Sequence, residues 1–144
     1  MANDTQFSGP QLQEHSYDNA DMSKSRFNGV NLTEAHFHAV LKNASFVNTN
    51  MESARFDDVN LSNASFTNIN LSNATYHDVN LSSAKFTHLN LSNTTIQNAF
   101  MAEACIEETD LSSVKINQCK LDGMSINGIS VTKLLQMYHA ANQQ

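Results

Sequence analysis

The amino-acid sequence predicts an all-β fold in which the chain winds into a solenoid of about six stacked coils. The main observation is a period of five, because from Leu41 to Val131 every fifth residue is large and apolar. A smaller, mostly apolar residue stands two positions before each of these, and the rest of each pentad is mostly polar. A period of five fits neither a helix nor a simple strand, but it fits a chain that turns a corner once per pentad.

The pentads also predict how the interior is filled. Four sides of five residues close a roughly square coil of about twenty residues, and residues two positions apart on one side point inward, as in a strand. Columns of Phe are paired with Ala, and columns of Leu with Val or Ile, which keeps the cross-section constant at native packing density. The predicted core-stacking residues are Leu41, Phe46, Phe56, Leu61, Phe66, Leu71, Tyr76, Leu81, Phe86 and Leu91.

The triplet Asn-Leu-Ser recurs at Asn60, Asn70, Asn80 and Asn90. Its Leu belongs to the core series, so its Asn falls at a corner of the coil. Asn side chains hydrogen-bond nearby backbone groups and tolerate turn geometry. We therefore interpret these residues as corner-forming residues.

The pentads "VNLSN", "INLSN" and "TDLSS" resemble the motif A-(D/N)-L-x-x of the pentapeptide-repeat proteins. The resemblance covers roughly Tyr17 to Val131. It implies a right-handed quadrilateral β-helix. It also implies two functional expectations, since family members dimerise at the C-terminal end, and the Qnr-type quinolone-resistance proteins resemble B-DNA in size and charge and bind DNA gyrase.

The pattern divides the chain into three segments. Residues 1–14 are predicted to form an N-terminal arm or cap, because His15 stands where a small inward residue is expected. Residues 15–131 form the predicted solenoid. One pentad in it is a residue short, between Phe37 and Leu41. This deletion should tighten or kink that corner, or else be a tolerated irregularity near the end of the solenoid.

Residues 132–144 are predicted to form a capping helix. Ser130 or Thr132 is a suitable N-cap residue. The helix would cover the open end of the solenoid, which otherwise exposes unpaired backbone groups. The resemblance implies an alternative, a homodimer contact through Leu134, Leu135 and Tyr138. The apolar stripe of the helix consists of Val131, Leu134, Leu135, Tyr138 and Ala141.

Charge and composition argue against several classes of function. The formal net charge of −6 provides no basic footprint, so we predict no direct nucleic-acid binding. No apolar run reaches the length of a membrane span, so we predict no membrane association. The opening "MANDTQFSGP" lacks the features of a secretory signal, which favours a cytoplasmic protein. Cys105 and Cys119 match neither a disulfide framework nor a metal-binding spacing.

The sequence shows no recognisable catalytic arrangement. A solenoid core filled by its own side chains implies no substrate pocket, so we predict no enzyme activity, no cofactor and no metal. The nearest approach to a metal site is His77 with Asp57, Asp58 and Asp78, which lie on adjacent coils. We interpret this group as a solvated polar face, because metal sites need convergent ligands and these side chains point outward.

One surface of the predicted solenoid is rich in carboxylates and includes an aromatic residue at a normally polar position. This candidate interaction patch, called the acidic patch below, consists of Phe100, Glu103, Glu107, Glu108, Asp110 and Asp122. The sequence therefore predicts a rigid protein-interaction scaffold whose partner is an unidentified protein. The alternative is a DNA mimic that binds DNA gyrase, although the outward residues are mostly neutral Asn, Ser and Thr.

Overall fold

A computed structural model describes residues 6–8 and 16–143 of the chain. In these residues the chain forms short strands separated by turns, followed by one helix. The strands are β1 (Gln6–Ser8), β2 (Ser16–Asp21), β3 (Arg26–Asn28), β4 (His36–Val40), β5 (Ser45–Val47), β6 (Arg55–Asp57), β7 (Ser65–Thr67), β8 (Thr75–His77), β9 (Lys85–Thr87), β10 (Thr95–Gln97), β11 (Cys105–Glu107), β12 (Lys115–Asn117), β13 (Ser125–Ile126) and β14 (Ile129–Ser130). The helix is α1 (Val131–Ala141).

Successive strands alternate between two sheets. One sheet has the order β1-β3-β5-β7-β9-β11-β13-β14, and the other has the order β12-β10-β8-β6-β4-β2. The strand pairs are parallel except for β13 with β14, and most are offset by one coil, as in Phe46 opposite Phe66. Single backbone bridges form the two remaining sides of each coil, for example Asn50 to Asn70 and Asn60 to Asn80. The prediction of a β-solenoid of about six coils with a C-terminal helix is confirmed.

Two columns of aromatic rings run through the solenoid. Phe27, Phe46, Phe66 and Phe86 form one column, with neighbouring ring centroids 4.6, 4.9 and 5.0 Å apart and planes within 4° of parallel. The other column consists of Tyr17, Phe37, Phe56 and Tyr76. These separations match the spacing of about 4.8 Å between paired strands. The ten predicted core-stacking side chains all lie in this interior, each at most 1% exposed.

The corners explain why the chain is rich in Asn. One residue at most corners has a positive φ, for example Asn43 at 61° and Asn68 at 55°, and Asn and Asp tolerate this left-handed conformation better than most residues. The Asn of the recurring triplet adds a hydrogen bond. In Asn70 the side-chain Oδ1 accepts a bond of 3.1 Å from the backbone N–H of Ser72. At both kinds of corner position the short amide side chain suits the backbone, because Asn either tolerates the positive φ or accepts a hydrogen bond from a backbone N–H.

The one-residue deletion does not tighten its corner, so the first of the two expectations was wrong. Positive φ values occur at Glu34 and next at Asn43, and between them β4 runs without a break. The neighbouring strand β2 accommodates the extra residue at Asn19, whose φ is 54°. The physical reason is that extended residues advance about 3.3 Å each, so a straight segment covers the same side with fewer residues.

The structure describes part of each predicted end segment. Of the predicted N-terminal segment 1–14, the structure describes Gln6–Ser8, which pairs with β3; the rest lies outside the described residues. Helix α1 begins at Val131, and the Ser130 hydroxyl accepts a bond of 3.3 Å from the backbone N–H of Lys133. Ser130 is therefore the N-cap. None of the helical residues is buried. The described part of the chain has no helix long and apolar enough to cross a membrane.

Candidate functional site

A surface recess lies beside the corner that lacks a residue. It has a volume of about 550 Å³ and is referred to below as the corner recess. Its acidic and imidazole side chains come from Asp21, His38, Asp58 and Asp78. The Ser23 hydroxyl and backbone N–H both bond to Asp21 and hold the pKa of that carboxyl below its usual value. The recess is thus a concave surface with a strongly acidic lining.

Two histidines lie in or next to the corner recess, and each approaches a carboxylate on the following or preceding coil. His38 Nε2 lies 3.3 Å from Asp58 Oδ2. His77 Nδ1 lies 3.2 Å from Asp57 Oδ1 and 3.3 Å from Asp78 Oδ2. The ligand atoms of Asp57, His77 and Asp78 all lie within 4.8 Å of one another. The sequence placed these residues on one face, and the structure adds that their ligand atoms converge.

A third histidine pairs with a carboxylate on the sheet that contains β9 and β11. His88 Nδ1 lies 3.0 Å from Glu108 Oε2. This pair has one carboxylate, whereas His77 has two. It therefore provides an internal comparison for the group around His77.

The acidic patch is divided into two parts by β11. Glu103 lies in the turn before this strand, and its backbone N–H donates to the carbonyl of Asp122 at 2.8 Å. Glu107 lies at the far end of the strand, followed by Glu108. Glu103 and Asp122 are therefore separated along the coil from Glu107 and Glu108 by the length of the strand.

Two carboxylates of the acidic patch have local partners. Glu108 approaches His88, as described above. The Asp110 carboxylate accepts bonds from the Ser112 hydroxyl at 2.5 Å and from its backbone N–H at 2.9 Å, and these bonds hold the pKa of Asp110 below its usual value. Asp110 thus repeats the corner role of the Asn residues. Its charge is compatible with turn formation as well as with binding.

Phe100 occupies a position that is Asn in two earlier coils. The bridged column contains Asn60, Asn80, Phe100 and Lys120. The Phe100 ring is 41% exposed, and Lys120 Nζ lies 5.5 Å from its centroid. A Phe side chain cannot accept the hydrogen bond that Asn accepts at this corner. Phe100 therefore lacks that local bond and exposes an aromatic surface instead. Val40, 40% exposed, occupies the same column, and sequence reasoning overlooked it although its pentad position is the same.

The C-terminal end of the solenoid is open and apolar. In the last coil the side chains of Leu111, Val114, Ile116, Leu121 and Ile126 are only half-buried. Helix α1 lies beside β14 and leaves Leu134, Leu135 and Tyr138 between 43 and 64% exposed. Ile129 and Met137, which the sequence analysis did not select, are also exposed. Together these exposed residues form a surface called the C-terminal surface below: Ile129, Leu134, Leu135, Met137 and Tyr138.

The two cysteines are free thiols in different surroundings. Cys119 is half-buried, with its Sγ accepting from the backbone N–H of Ala99 at 3.4 Å. Burial raises the pKa of the Cys119 thiol. A thiol with a raised pKa carries little thiolate, so Cys119 is a core residue and a poor nucleophile.

Comparisons with known proteins agree with this architecture. The family model described as pentapeptide repeat region matches residues 20–96. Among solved structures, a trypsin-treated form of QnrB1, a plasmid-mediated fluoroquinolone resistance protein, is 14% identical, with 96% of this chain and 92% of that chain covered and a TM-score of 0.57. A pentapeptide repeat protein from the Arabidopsis thaliana thylakoid lumen is 18% identical over 95% of this chain and 72% of that chain, with a TM-score of 0.39. No curated protein matches the sequence. At 14% identity, the similarity to the QnrB1 structure shows the fold alone.

Proposed function

The chain belongs to the pentapeptide repeat family, and from this premise we propose that it is a non-enzymatic, rigid scaffold for protein interaction. The observation that carries the proposal is the contrast between a filled interior and an open, apolar C-terminal end. The aromatic columns fill the solenoid, with Phe66 stacked between Phe46 and Phe86. A cytoplasmic location is consistent with two unpaired cysteines, because thiols stay reduced there.

We propose that a second copy of the chain covers the C-terminal surface. A solenoid end leaves unpaired backbone and half-buried core side chains, which favour association. Helix α1 does not shield them, and its own stripe adds Leu134, Leu135 and Tyr138. Exposed apolar residues contiguous with a half-buried core are typical of a surface covered by a partner. Two identical ends can pair about a two-fold axis, which gives a closed dimer.

Sedimentation velocity of the purified chain tests the dimer. We expect a dimer for the unaltered chain and a folded monomer for Leu135→Glu combined with Tyr138→Glu, because two buried charges would oppose association. Gln136→Glu adds a negative charge on the side of the helix opposite Leu134, Leu135, Met137 and Tyr138 and is the control. A monomeric unaltered chain, or dimers in the double variant, would contradict the proposal.

A second candidate function is DNA mimicry with DNA gyrase as the partner. Its support is the acidic net charge together with the same solenoid fold as QnrB1. The charge density weighs against it. The net charge of −6 over about six coils gives about one charge per coil, whereas DNA with one charge per about 1.7 Å carries about three over a coil spacing of about 4.8 Å. The scaffold therefore remains the preferred function.

A gyrase supercoiling assay with and without a quinolone separates the two functions. DNA mimicry requires inhibition or protection by the unaltered chain and its loss when the acidic patch is neutralised, through Glu103→Gln, Glu107→Gln, Glu108→Gln and Asp110→Asn. The matched control is a chain carrying Glu34→Gln and Glu52→Gln, which remove carboxylates outside the patch. If the chain is a scaffold for a different partner, we expect that neither the unaltered chain nor either variant changes gyrase supercoiling.

A further inference from the structure

We propose that Asp57, His77 and Asp78 form a binding site for a single divalent zinc ion that joins two adjacent coils. Asp57 ends β6, whereas His77 ends β8 on the next coil and Asp78 follows it. The site therefore takes one ligand from one coil and two from the next. It is independent of the proposed scaffold function and of the C-terminal surface.

The first argument is the separation of the ligand atoms. His77 Nδ1 lies 3.2 Å from Asp57 Oδ1 and 3.3 Å from Asp78 Oδ2. Zinc bonds of about 2.0–2.2 Å in a tetrahedron separate neighbouring ligand atoms by about 3.3–3.5 Å. Two of the three separations between ligand atoms are therefore already close to those of a tetrahedral zinc site. The third pair, between the two carboxylates, is within 4.8 Å.

The second argument is hydrogen-bonding capacity. Both carboxylate oxygens approach the same imidazole nitrogen, and Nδ1 carries at most one hydrogen. A single Nδ1 hydrogen cannot make good hydrogen bonds to both carboxylates. One zinc ion, by contrast, can bind all three ligand atoms. The alternative is a metal-free His77 whose imidazole is hydrogen-bonded to the carboxylates, and the experiment below separates the two.

The third argument is the local balance of charge. Asp58, on the same coil as Asp57, lines the corner recess together with Asp78, so three carboxylates lie within two coils. Arg55 lines a small depression with Asp57 and His77 and adds one positive charge beside them. One arginine leaves this corner with an excess of negative charge, which a divalent cation would neutralise.

The donor set selects the metal. Calcium and magnesium prefer oxygen ligands throughout, whereas imidazole nitrogen combined with carboxylate suits zinc. All three side chains are about half exposed, at 59% for Asp57, 51% for His77 and 51% for Asp78. Water can therefore complete the tetrahedron. An exposed three-ligand site binds more weakly than a closed four-ligand structural site.

Calorimetric titration of zinc chloride into tag-free, chelator-treated protein tests the site. We expect one ion per chain and a loss of affinity of at least about tenfold in His77→Gln and in Asp78→Asn, because even second-shell changes cost this much. His88→Gln is the matched control, since His88 approaches one carboxylate, Glu108, on another sheet. It should bind zinc as the unaltered chain does.

Imidazole NMR of His77 provides an independent measurement. Zinc at Nδ1 should shift the ring signals of His77 in the folded protein at neutral pH and leave those of His88 unchanged. The thermal unfolding temperature should rise with zinc for the unaltered chain and for His88→Gln, but not for His77→Gln. The absence of a zinc-dependent shift, or equal affinity in His77→Gln, would overturn the site and leave a metal-free imidazole between two carboxylates.

Discussion

The inner coils of the solenoid have a buried interior, whereas the interior of the C-terminal coil is partly exposed. Between Phe27 and Leu91 the large inward side chains are buried, and two aromatic columns stack through the interior. From Leu111 to Ile126 the inward residues are aliphatic, and Met124 is the one buried among them. The pentad is the same in both regions. The difference is that an inner coil is covered on both faces by neighbouring coils, while the last coil is covered on one face.

This difference shows that burial in the solenoid depends on neighbours along the axis. Each coil contacts the coil before it and the coil after it, so the stability of a repeat array is close to a sum of local and nearest-neighbour terms. An end coil lacks one of the two nearest-neighbour terms that an inner coil has. It therefore contributes less to stability and more to association, which agrees with the proposed dimer contact at the C-terminal surface.

The largest expected change in the free energy of unfolding comes from comparing an alanine substitution in each region. Phe66→Ala removes a ring stacked on both faces and should lower the free energy of unfolding by about 3–5 kcal/mol. Ile116→Ala removes a half-buried side chain and should cost about 1–2 kcal/mol. Urea denaturation of the two variants measures both values. Equal losses would show that the end coil is as well covered as the inner coils.

A change at Tyr76 should stabilise the buried interior of the inner coils. The Tyr76 hydroxyl is buried and has no hydrogen-bond partner among the described residues. Since an unsatisfied buried hydroxyl costs about 1–3 kcal/mol, Tyr76→Phe should raise the free energy of unfolding by about 1 kcal/mol. Tyr138→Phe, at an exposed position of helix α1, is the control and should have no effect.

The same residue predicts a pH dependence. Burial raises the pKa of Tyr76 above that of an unfolded tyrosine, which is about 10. The stability that depends on a neutral Tyr76 is therefore complete below pH about 10 and is lost as the pH rises above it. As the pH rises into the alkaline range, the free energy of unfolding should fall more steeply for the unaltered chain than for Tyr76→Phe. Parallel stability curves would contradict this.

A smaller effect is expected at the corners. Asn70→Ala removes the side-chain acceptor of the Ser72 backbone N–H and should cost about 1 kcal/mol. Phe100→Asn places the same acceptor in the column where Asn60 and Asn80 already stand, so it should leave stability unchanged or higher. Chemical denaturation compares the two directly. A destabilising Phe100→Asn would mean that the exposed ring supports the fold.

The smallest global effect is expected at the junction with the helix. Ser130→Ala removes the N-cap acceptor of helix α1, a change that typically weakens a helix by about 1 kcal/mol. Because α1 buries none of its residues, the loss should appear in the hydrogen exchange of the helical amides and leave the midpoint of solenoid unfolding nearly unchanged. An equal loss in both would show that helix and coils unfold as one unit.

The regular part of the fold could be predicted in detail because it follows from a local rule. The large residue of each pentad points inward, the residue two before it does the same, and Asn or Asp suits the corners. Phe46, Phe66 and Leu71 are buried where the period places them, and Asn70 makes the corner bond expected of it. The deletion between Phe37 and Leu41 was visible in the sequence. Its outcome was not, because straightening β4 depends on pairing with β2 and β6.

The candidate sites depend on relations that the period does not encode. The coil, the core series and the corner residues could be read from the sequence, since each follows from side-chain size and backbone preference within five residues. The tertiary structure decided that Asp57, His77 and Asp78 converge, that β11 divides the acidic patch, and that helix α1 leaves Tyr138 exposed. These results depend on side-chain orientation between coils and on the position of the helix at the end of the stack, which arise only when the coils are assembled.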